Sequence, residues 1–451
     1  MLASSQASHL VKFALPALIL VWTFHYFTTS ATAYTTVLRK FKDERELFVS
    51  DFLEHEVDGA FDGSSIAELC SRKQWTPGVF LSCESPPAGL ANVKNAHLNC
   101  IRIAMEMGAE LILPGIIKRD DRNIAWTNPK TKAAIHGEDM DYFFDMDHFN
   151  SSLSTYCPQL RLHRSINDLW EIPSLLQATK FSLTDANITL VNTTIVADPS
   201  SVQSKLKTFV NTKSPPHLRK NPVHFTLKLS YWAWPTQSDG VAFARHFGRI
   251  LRIRPDARRI AASALFNLHK RFQLGIDPRL GLQNDSFVGV HLRTEADTVH
   301  SRPKFPTYEE QAAYYLDYAV QSKASVIYLA TGASGENITS FIDRARDFNI
   351  AVVQKQDVLD HADATVLDRF TYDQKALVDY EVMLRAGRVT GTSESPFAWN
   401  LAMRRRNVYL MDGVSTVEGT TTGTFTQWRD RYSTLFGRTE DSPGMQRTIW
   451  P

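Results

Sequence analysis

SFVGVHLRTEAD, residues 286–297, is an apolar run that ends abruptly in charge. Phe287 to Val290 have the composition of a buried strand, and His291, Leu292 and Arg293 follow without a break. Glu295 and Asp297 then place two carboxylates within four residues of the arginine. A continuous apolar strand belongs in a parallel sheet covered on both faces, and open α/β sheets bind ligands beyond the carboxyl ends of their strands. Arg293 carries a permanent planar charge that suits phosphate, and His291 is placed to orient it or its partners. Taken alone, the segment fits a strand-end arginine in a domain-interface salt bridge equally well.

The sequence around it extends the pattern. Helical segments 308–322, 336–348, 372–387 and 396–406 alternate with strand segments at 324–332, 350–356, 388–393 and 407–411. Strand–helix alternation at this spacing predicts a parallel, doubly wound sheet. Farther upstream, VFLSC (79–83), the helical segment 92–108 and ELILPGI (110–116) form one βαβ unit. FTLKLSYWAW (225–234) alternates as a strand and a long helical stretch, 240–273, follows.

At 451 residues the chain exceeds what one core usually serves, so two domains are expected. The net charge of +2 gives no reason to expect a nucleic-acid partner. The basic run Arg245 to Arg259 reads as a solvated helix face. At the other extreme, 13–27 is strongly apolar, and extended to Ala33 it reaches the ~20 residues that span a bilayer. Ala31-Thr32-Ala33 also fits a cleavage site, so a secreted form is the alternative to an anchor. The positive-inside rule alone would leave the body cytosolic. Five N-x-S/T sequons, at Asn150, Asn187, Asn192, Asn284 and Asn337, and four cysteines argue for the lumen. Those cysteines, Cys70, Cys83, Cys100 and Cys157, allow three pairings, and Cys100 also fits a buried free thiol. The expectation is a single-pass type II protein of the endoplasmic reticulum or Golgi membrane. It has a cytosolic tail at 1–12, an anchor at 13–33 and a stem at 34–65. An N-terminal α/β domain at 66–235, linking helices at 236–274 and a C-terminal α/β domain at 275–451 follow.

Two further clusters suit a phosphorylated ligand. In GTSESPF (391–397) a strand ends in hydroxyls and a helix begins, with Ser393 in the turn, Ser395 at the N-cap, Pro396 pre-set for the first helical position and Phe397 next. Helix starts offer free N–H groups and a positive dipole end to anions, though an ordinary capped helix looks the same. The turn Gly89-Leu90-Ala91-Asn92 lets backbone approach a ligand, with Asn92 placed to cap the helix or reach a cleft. It is neither a P-loop nor a dinucleotide fingerprint. Two D-x-D sequences, Asp139/Asp141 and Asp145/Asp147, raise the rival of a metal-dependent glycosyltransferase, against a solvated acidic loop.

Taken together, these blocks resemble the GDP-fucose protein O-fucosyltransferase family and its fungal and plant relatives. FVGVHLRTEAD is similar to the family's H-L-R signature. AGLANVKNAHLNCIRIAMEMGAELILP resembles its glycine turn, helix and strand, and MDYFFDMDHFNSSL (140–153) its FDVDHF block. LVDYEVMLRAGRVTGTSESPFAWNLAMRR (377–405) is similar to its DY…VGTS block, so the likeness runs from about Cys70 to Met411. The resemblance implies a GT-B-like fold of two Rossmann-like domains facing a cleft. It also implies inverting transfer of fucose from GDP-fucose to a protein or glycan hydroxyl, with no metal and no cofactor. By position it makes Arg293 the phosphate-contacting arginine, His291 a neighbour of the nucleotide and Asp297 a cleft acid. Gly89 and Asn92 match the turn, Asp379 the acid that recognises guanine, and Ser393, Ser395 and Phe397 the phosphate-binding helix start. No general base stands out. Glu295 and Asp297 are candidates, and a dissociative route with the phosphate as base is equally open. A non-catalytic GDP-sugar-binding relative is the other alternative.

Overall fold

The computed structural model describes residues 43–125, 137–216, 218–284, 286–299, 306–411, 425–437 and 442–451. The membrane segment expected at 13–33, the tail before it and the start of the stem lie outside these residues. Among the described residues no helix is long and apolar enough to cross a membrane.

Residues Phe52–Pro451 form one compact unit that holds two parallel sheets. The first contains β1 (Val79–Cys83), β2 (Glu110–Ile112), β3 (Leu162–His163), β4 (Thr179–Phe181) and β5 (Val223–Leu227), in the order β3-β2-β1-β5-β4 with every pair parallel. Between β1 and β2 runs α1 (Leu90–Met107), which ends where Gly108 turns left-handed at φ 64°. α1 is buried on all sides, so its polar side chains need internal partners. Asn95 bonds the carbonyl of Thr448 at 3.0 Å and the N–H of Trp450 at 2.8 Å, and Arg102 pairs with Asp239 at 2.8 Å. Disulfides join Cys83 to Cys100 and Cys70 to Cys157, so Cys100 is not a free thiol. The first ties β1 to α1.

The second sheet contains β6 (Val288–Leu292), β7 (Val326–Thr331), β8 (Ala351–Val353), β9 (Arg388–Thr392), β10 (Thr426–Arg429) and β11 (Ser433–Phe436). Its order is β8-β7-β6-β9-β11-β10, parallel except for the β10–β11 hairpin. From β6 the chain moves outward through β7 and β8, then returns to the other side of β6 as β9. The strand order therefore reverses between β6 and β9, and a crevice opens beyond their carboxyl ends. The helices used below are α2 (Pro255–Phe272), α3 (Tyr308–Gln321), α4 (Tyr372–Leu384) and α5 (Pro396–Met411). Capping boxes start α3 at Thr307/Glu310 and α4 at Thr371/Gln374. Arg405 of α5, fully buried, closes the far end of α4 by donating to the carbonyls of Leu384 (3.0 Å) and Ala386 (2.7 Å).

Several expectations are corrected. The run 407–411 continues α5, and the sheet is completed by the β10–β11 hairpin; so short a run, mostly apolar, does not distinguish strand from helix. The run 350–356 is a strand only to Val353, because Gln354 caps a short helix, Lys355–Val358. The stretch 240–273 is two helices, Val241–Phe247 and α2, with Pro255 opening the second. The strand in 225–234 ends at Leu227. The span assigned to a stem contains helix Glu44–Glu54, and Ser64–Arg72 is helical beyond it. In the basic run, Arg249 and Arg258 are buried rather than solvated, because Asp58 and Glu56 fold back onto them.

Candidate active site

β6 holds His291 and Leu292 inside the sheet and delivers Arg293 to the crevice. The backbone of Arg293 is clamped by Gln311 of α3, which is 1% exposed. The Arg293 N–H donates to Gln311 Oε1 at 2.9 Å, and Gln311 Nε2 donates to the Arg293 carbonyl at 2.8 Å. The guanidinium then meets Glu295 Oε2 through Nη1 at 2.5 Å and Asp297 Oδ2 through Nη2 at 2.6 Å. Burial opposes its charge, but Glu295 and Asp297 outweigh that and raise its pKa above the ordinary guanidinium value. Glu295 shows the reverse balance: burial would raise its pKa, yet Arg293 holds it below the usual carboxylate range. Its other oxygen accepts the N–H of Gly332, just beyond β7, at 2.8 Å. A carboxylate so occupied and so acidic is poorly suited to take a proton.

β9 ends beside this group. Its turn leads to Ser395, whose Oγ lies 3.1 Å from His291 Nε2, and α5 starts at Pro396. Burial lowers the His291 pKa to about 4, so the imidazole is neutral at ordinary pH. Its ring centroid sits 4.7 Å from that of Phe397. Pro396 carries no N–H and Trp399 N–H is bonded to the Ser395 carbonyl, so Phe397 and Ala398 bring the N–H groups that lack a carbonyl partner within the helix, beside the cavity that Ser395, Pro396 and Phe397 line.

The opposite wall comes from the first sheet. Gly89 is the N-cap of α1, which makes Asn92 its third helical residue and not the cap that the turn suggested. Asn92 lines the crevice, and its buried Oδ1 has no hydrogen-bond partner among the described residues. A Cβ on Gly89 would lie 2.8 Å from Arg119 Nη2, so only glycine leaves the arginine its place. Arg119 pairs through Nε with Asp373 at 3.0 Å, and Tyr372 N–H donates to Asp121 O at 2.7 Å, tying this wall to α4.

On α4 itself, Tyr372, Lys375, Ala376 and Asp379 all line the crevice. Their spacing of three, four and seven places them on one face of the helix. Both Asp379 oxygens are engaged: Tyr328 Oη–H donates to Oδ1 at 2.8 Å and Lys355 Nζ to Oδ2 at 2.7 Å. The ion-pair partner is thus Lys355, the first residue of the short helix after β8. Arg385, a nearer neighbour in sequence, is instead buried against the carbonyls of Pro278 and Leu280.

The result is one cavity of about 470 Å³ that collects Gly89, Asn92, His291, Arg293, Glu295, Asp297, Asp379, Ser395 and Phe397. Ser393 is not among its walls. It is fully buried behind the turn, and its Oγ has no partner among the described residues. Sequence reading missed Arg119, Lys355, Tyr372, Lys375 and Gln311. Of these only Lys375 and Tyr372 carried a signal, through their spacing from Asp379. Of the D-x-D acids, Asp139 bonds Arg164 at 2.9 Å, and Asp145 caps the helix Met146–Tyr156 and bonds Arg252. Neither pair belongs to a three-ligand cluster among the described residues.

An arginine at a strand end and a helix start at the neighbouring strand end, meeting at a strand-order reversal, are features of α/β proteins that bind phosphorylated ligands at the switch point. The profile of the family described as GDP-fucose protein O-fucosyltransferase matches residues 80–409, and the chain belongs to that family. No curated protein matches the sequence. Among solved structures, POFUT1 in complex with GDP is similar at 13% identity and a TM-score of 0.45, over 80% of this chain and 99% of that one. A variant of Arabidopsis thaliana FUT1 in complex with GDP is similar at 10% identity and a TM-score of 0.38, over 81% and 78%. The fucosyltransferase NodZ from Bradyrhizobium is similar at 12% identity and a TM-score of 0.35, over 73% and 92%.

Proposed function

We propose that this protein transfers fucose from GDP-fucose to a hydroxyl of a protein or glycan, with inversion and without a metal or cofactor. The observation that carries the reading is the convergence of Arg293, the start of α5 and Asp379 in one cavity, within a chain of the O-fucosyltransferase family. In this reading the donor lies with its base toward Asp379 and its diphosphate between Arg293 and the N–H groups after Ser395. The bond from fucose C1 to the β-phosphate oxygen breaks, and its electron pair leaves with GDP. The acceptor oxygen bonds C1 from the opposite face. The developing negative charge is stabilised by the guanidinium and the helix start, groups already oriented before reaction. Asp297 is the more exposed of the two acids, but it is also paired with Arg293. We therefore assign the acceptor's proton to a phosphate oxygen of GDP, reached through solvent once the bond from C1 to the phosphate has broken. The arrangement corresponds to a GT-B-like enzyme whose first sheet supplies the acceptor side.

We further place the body in the lumen of the secretory pathway, held by the segment at 13–33. Two disulfides suit an oxidising compartment, and four of the sequon asparagines, Asn150, Asn187, Asn192 and Asn284, are exposed.

The test is a donor screen on the purified full-length protein with glycan and protein acceptors, in the presence of EDTA. GDP release from GDP-fucose is the expected result. Release of UDP from a UDP-sugar, or activity that chelation abolishes and Mn²⁺ restores, would overturn the reading.

A further inference from the structure

We propose that Lys355 is a specificity residue of the nucleotide pocket, and that it donates a hydrogen bond to O6 of guanine. The proposal rests on the GDP-sugar reading above and extends it to a residue that neither motif nor spacing marks. Guanine presents three groups in a row on its pairing edge: the 2-amino group and N1–H as donors, then O6 as an acceptor. A carboxylate matches the two donors only. O6 then needs a donor beside the carboxylate, or it is buried without a partner.

Lys355 supplies a donor in that place. It opens the short helix after β8, lines the same cavity as Asp379, and its side chain is 12% exposed. Its Nζ lies 2.7 Å from Asp379 Oδ2. An ammonium has three N–H donors, and Asp379 takes one of them. Each Asp379 oxygen accepts one bond from the protein, from Tyr328 or from Lys355, and each retains a lone pair for the base. The Tyr328 hydroxyl holds the carboxylate in position, so acceptor and donor reach the pocket in fixed order. Adenine presents an amino donor where guanine has O6 and an acceptor where guanine has N1–H, which meets this pair with the wrong polarity at both points. Neutralising a buried Asp379 is also a task of Lys355. That task alone does not involve the chemistry of O6, and the difference is measurable.

Calorimetric titration of full-length protein with GDP and with 6-thio-GDP makes the measurement. Sulfur at position 6 is a weak acceptor, while the two donors of the edge are kept. Wild type should bind GDP on the order of tenfold more tightly than 6-thio-GDP, the value of about one hydrogen bond. In Lys355→Met the two nucleotides should bind with equal, weakened affinity, and Lys355→Gln, which keeps a donor, should restore part of the preference. If Lys355 acted only by neutralising Asp379, affinity would fall in Lys355→Met with the preference unchanged, and the proposal would be overturned. Equal binding of both nucleotides by wild type would overturn it without any variant. Failure of wild type to bind GDP at all would overturn the GDP-sugar reading itself, a result distinct from either of these.

Discussion

Two clusters of paired guanidinium and carboxylate groups, one enclosed and one beside a cavity, lie within the same unit. Around Arg258 and Arg404, Glu56 accepts from both arginines at 2.7 Å, while Asp58 lies 3.5 Å from Arg249. Burial would raise the Glu56 pKa, yet Arg258 and Arg404 drive it well below the carboxylate range. Around Arg293, Glu295 and Asp297 make an ion-paired group of similar chemistry. The difference is what adjoins them. The first is closed within the protein, whereas the second forms part of a cavity wall beside a helix start. Charge pairing and burial therefore do not identify a site; access to a ligand does.

The sharpest way to break this contrast is Arg293→Ala. Loss of one preorganised stabiliser of the leaving group should lower kcat by roughly 10²–10³. Melting should fall as well, because Glu295 loses its cation, so turnover is to be measured at a temperature where circular dichroism shows the variant folded. Near-wild-type turnover would remove Arg293 from the chemistry. Arg258→Ala is the mirror experiment: taking one of its two arginines from a buried acid should cost up to about 3–5 kcal/mol in denaturant unfolding. Its kcat, measured while folded, should stay close to wild type. A selective loss of kcat would mean the two clusters are coupled.

Smaller effects sharpen the picture. Gly89 has φ −78°, which alanine tolerates, so Gly89→Ala tests only the approach of Arg119. The side chain can move, so the stability cost should be near ~1 kcal/mol, with donor KM raised several-fold. Unchanged KM would show that the Arg119 position does not matter to the donor. The mildest probe is pH. Burial lowers the pKa values of His97, His148, His246 and His291 to about 4, against an ordinary 6.5. Between those values the unfolded chain binds protons that the native protein refuses, so stability falls as pH drops from 6.5 toward 4. Above about 6.5 these groups contribute no slope. Melting temperatures that stay flat between pH 4.5 and 6.5 would contradict their neutral burial.

The second sheet was the more legible half, because buried parallel strands separated by capped helices leave long, regular patterns. Thr307 and Thr371 announce α3 and α4 by local hydrogen bonds that depend only on neighbours in sequence. The run at 407–411 misled for the opposite reason: a short, mostly apolar run fits a strand or a helix equally well. The basic run around Arg249 and Arg258 misled because its acids lie some 190 to 200 residues away, a distance that no local window covers. Asp379 was legible as a candidate, and it lines the cavity. Its partner Lys355 was not, since nothing in the twenty-three residues between them marks the pair.

From sequence came the α/β class, most of the strand and helix order, the family and most of the cavity residues. Each rests on periodicity, caps or motifs that act within a few residues. The fold itself settled the cysteine pairing, the withdrawal of Ser393 from the pocket and the engagement of Glu295 by both Arg293 and Gly332. It also settled the meeting of Arg119, Lys355 and Asp379 around one cavity. Those depend on which strands become neighbours and where side chains distant in the chain come to rest. Such contacts arise from packing the whole chain at once, and no segment encodes them alone.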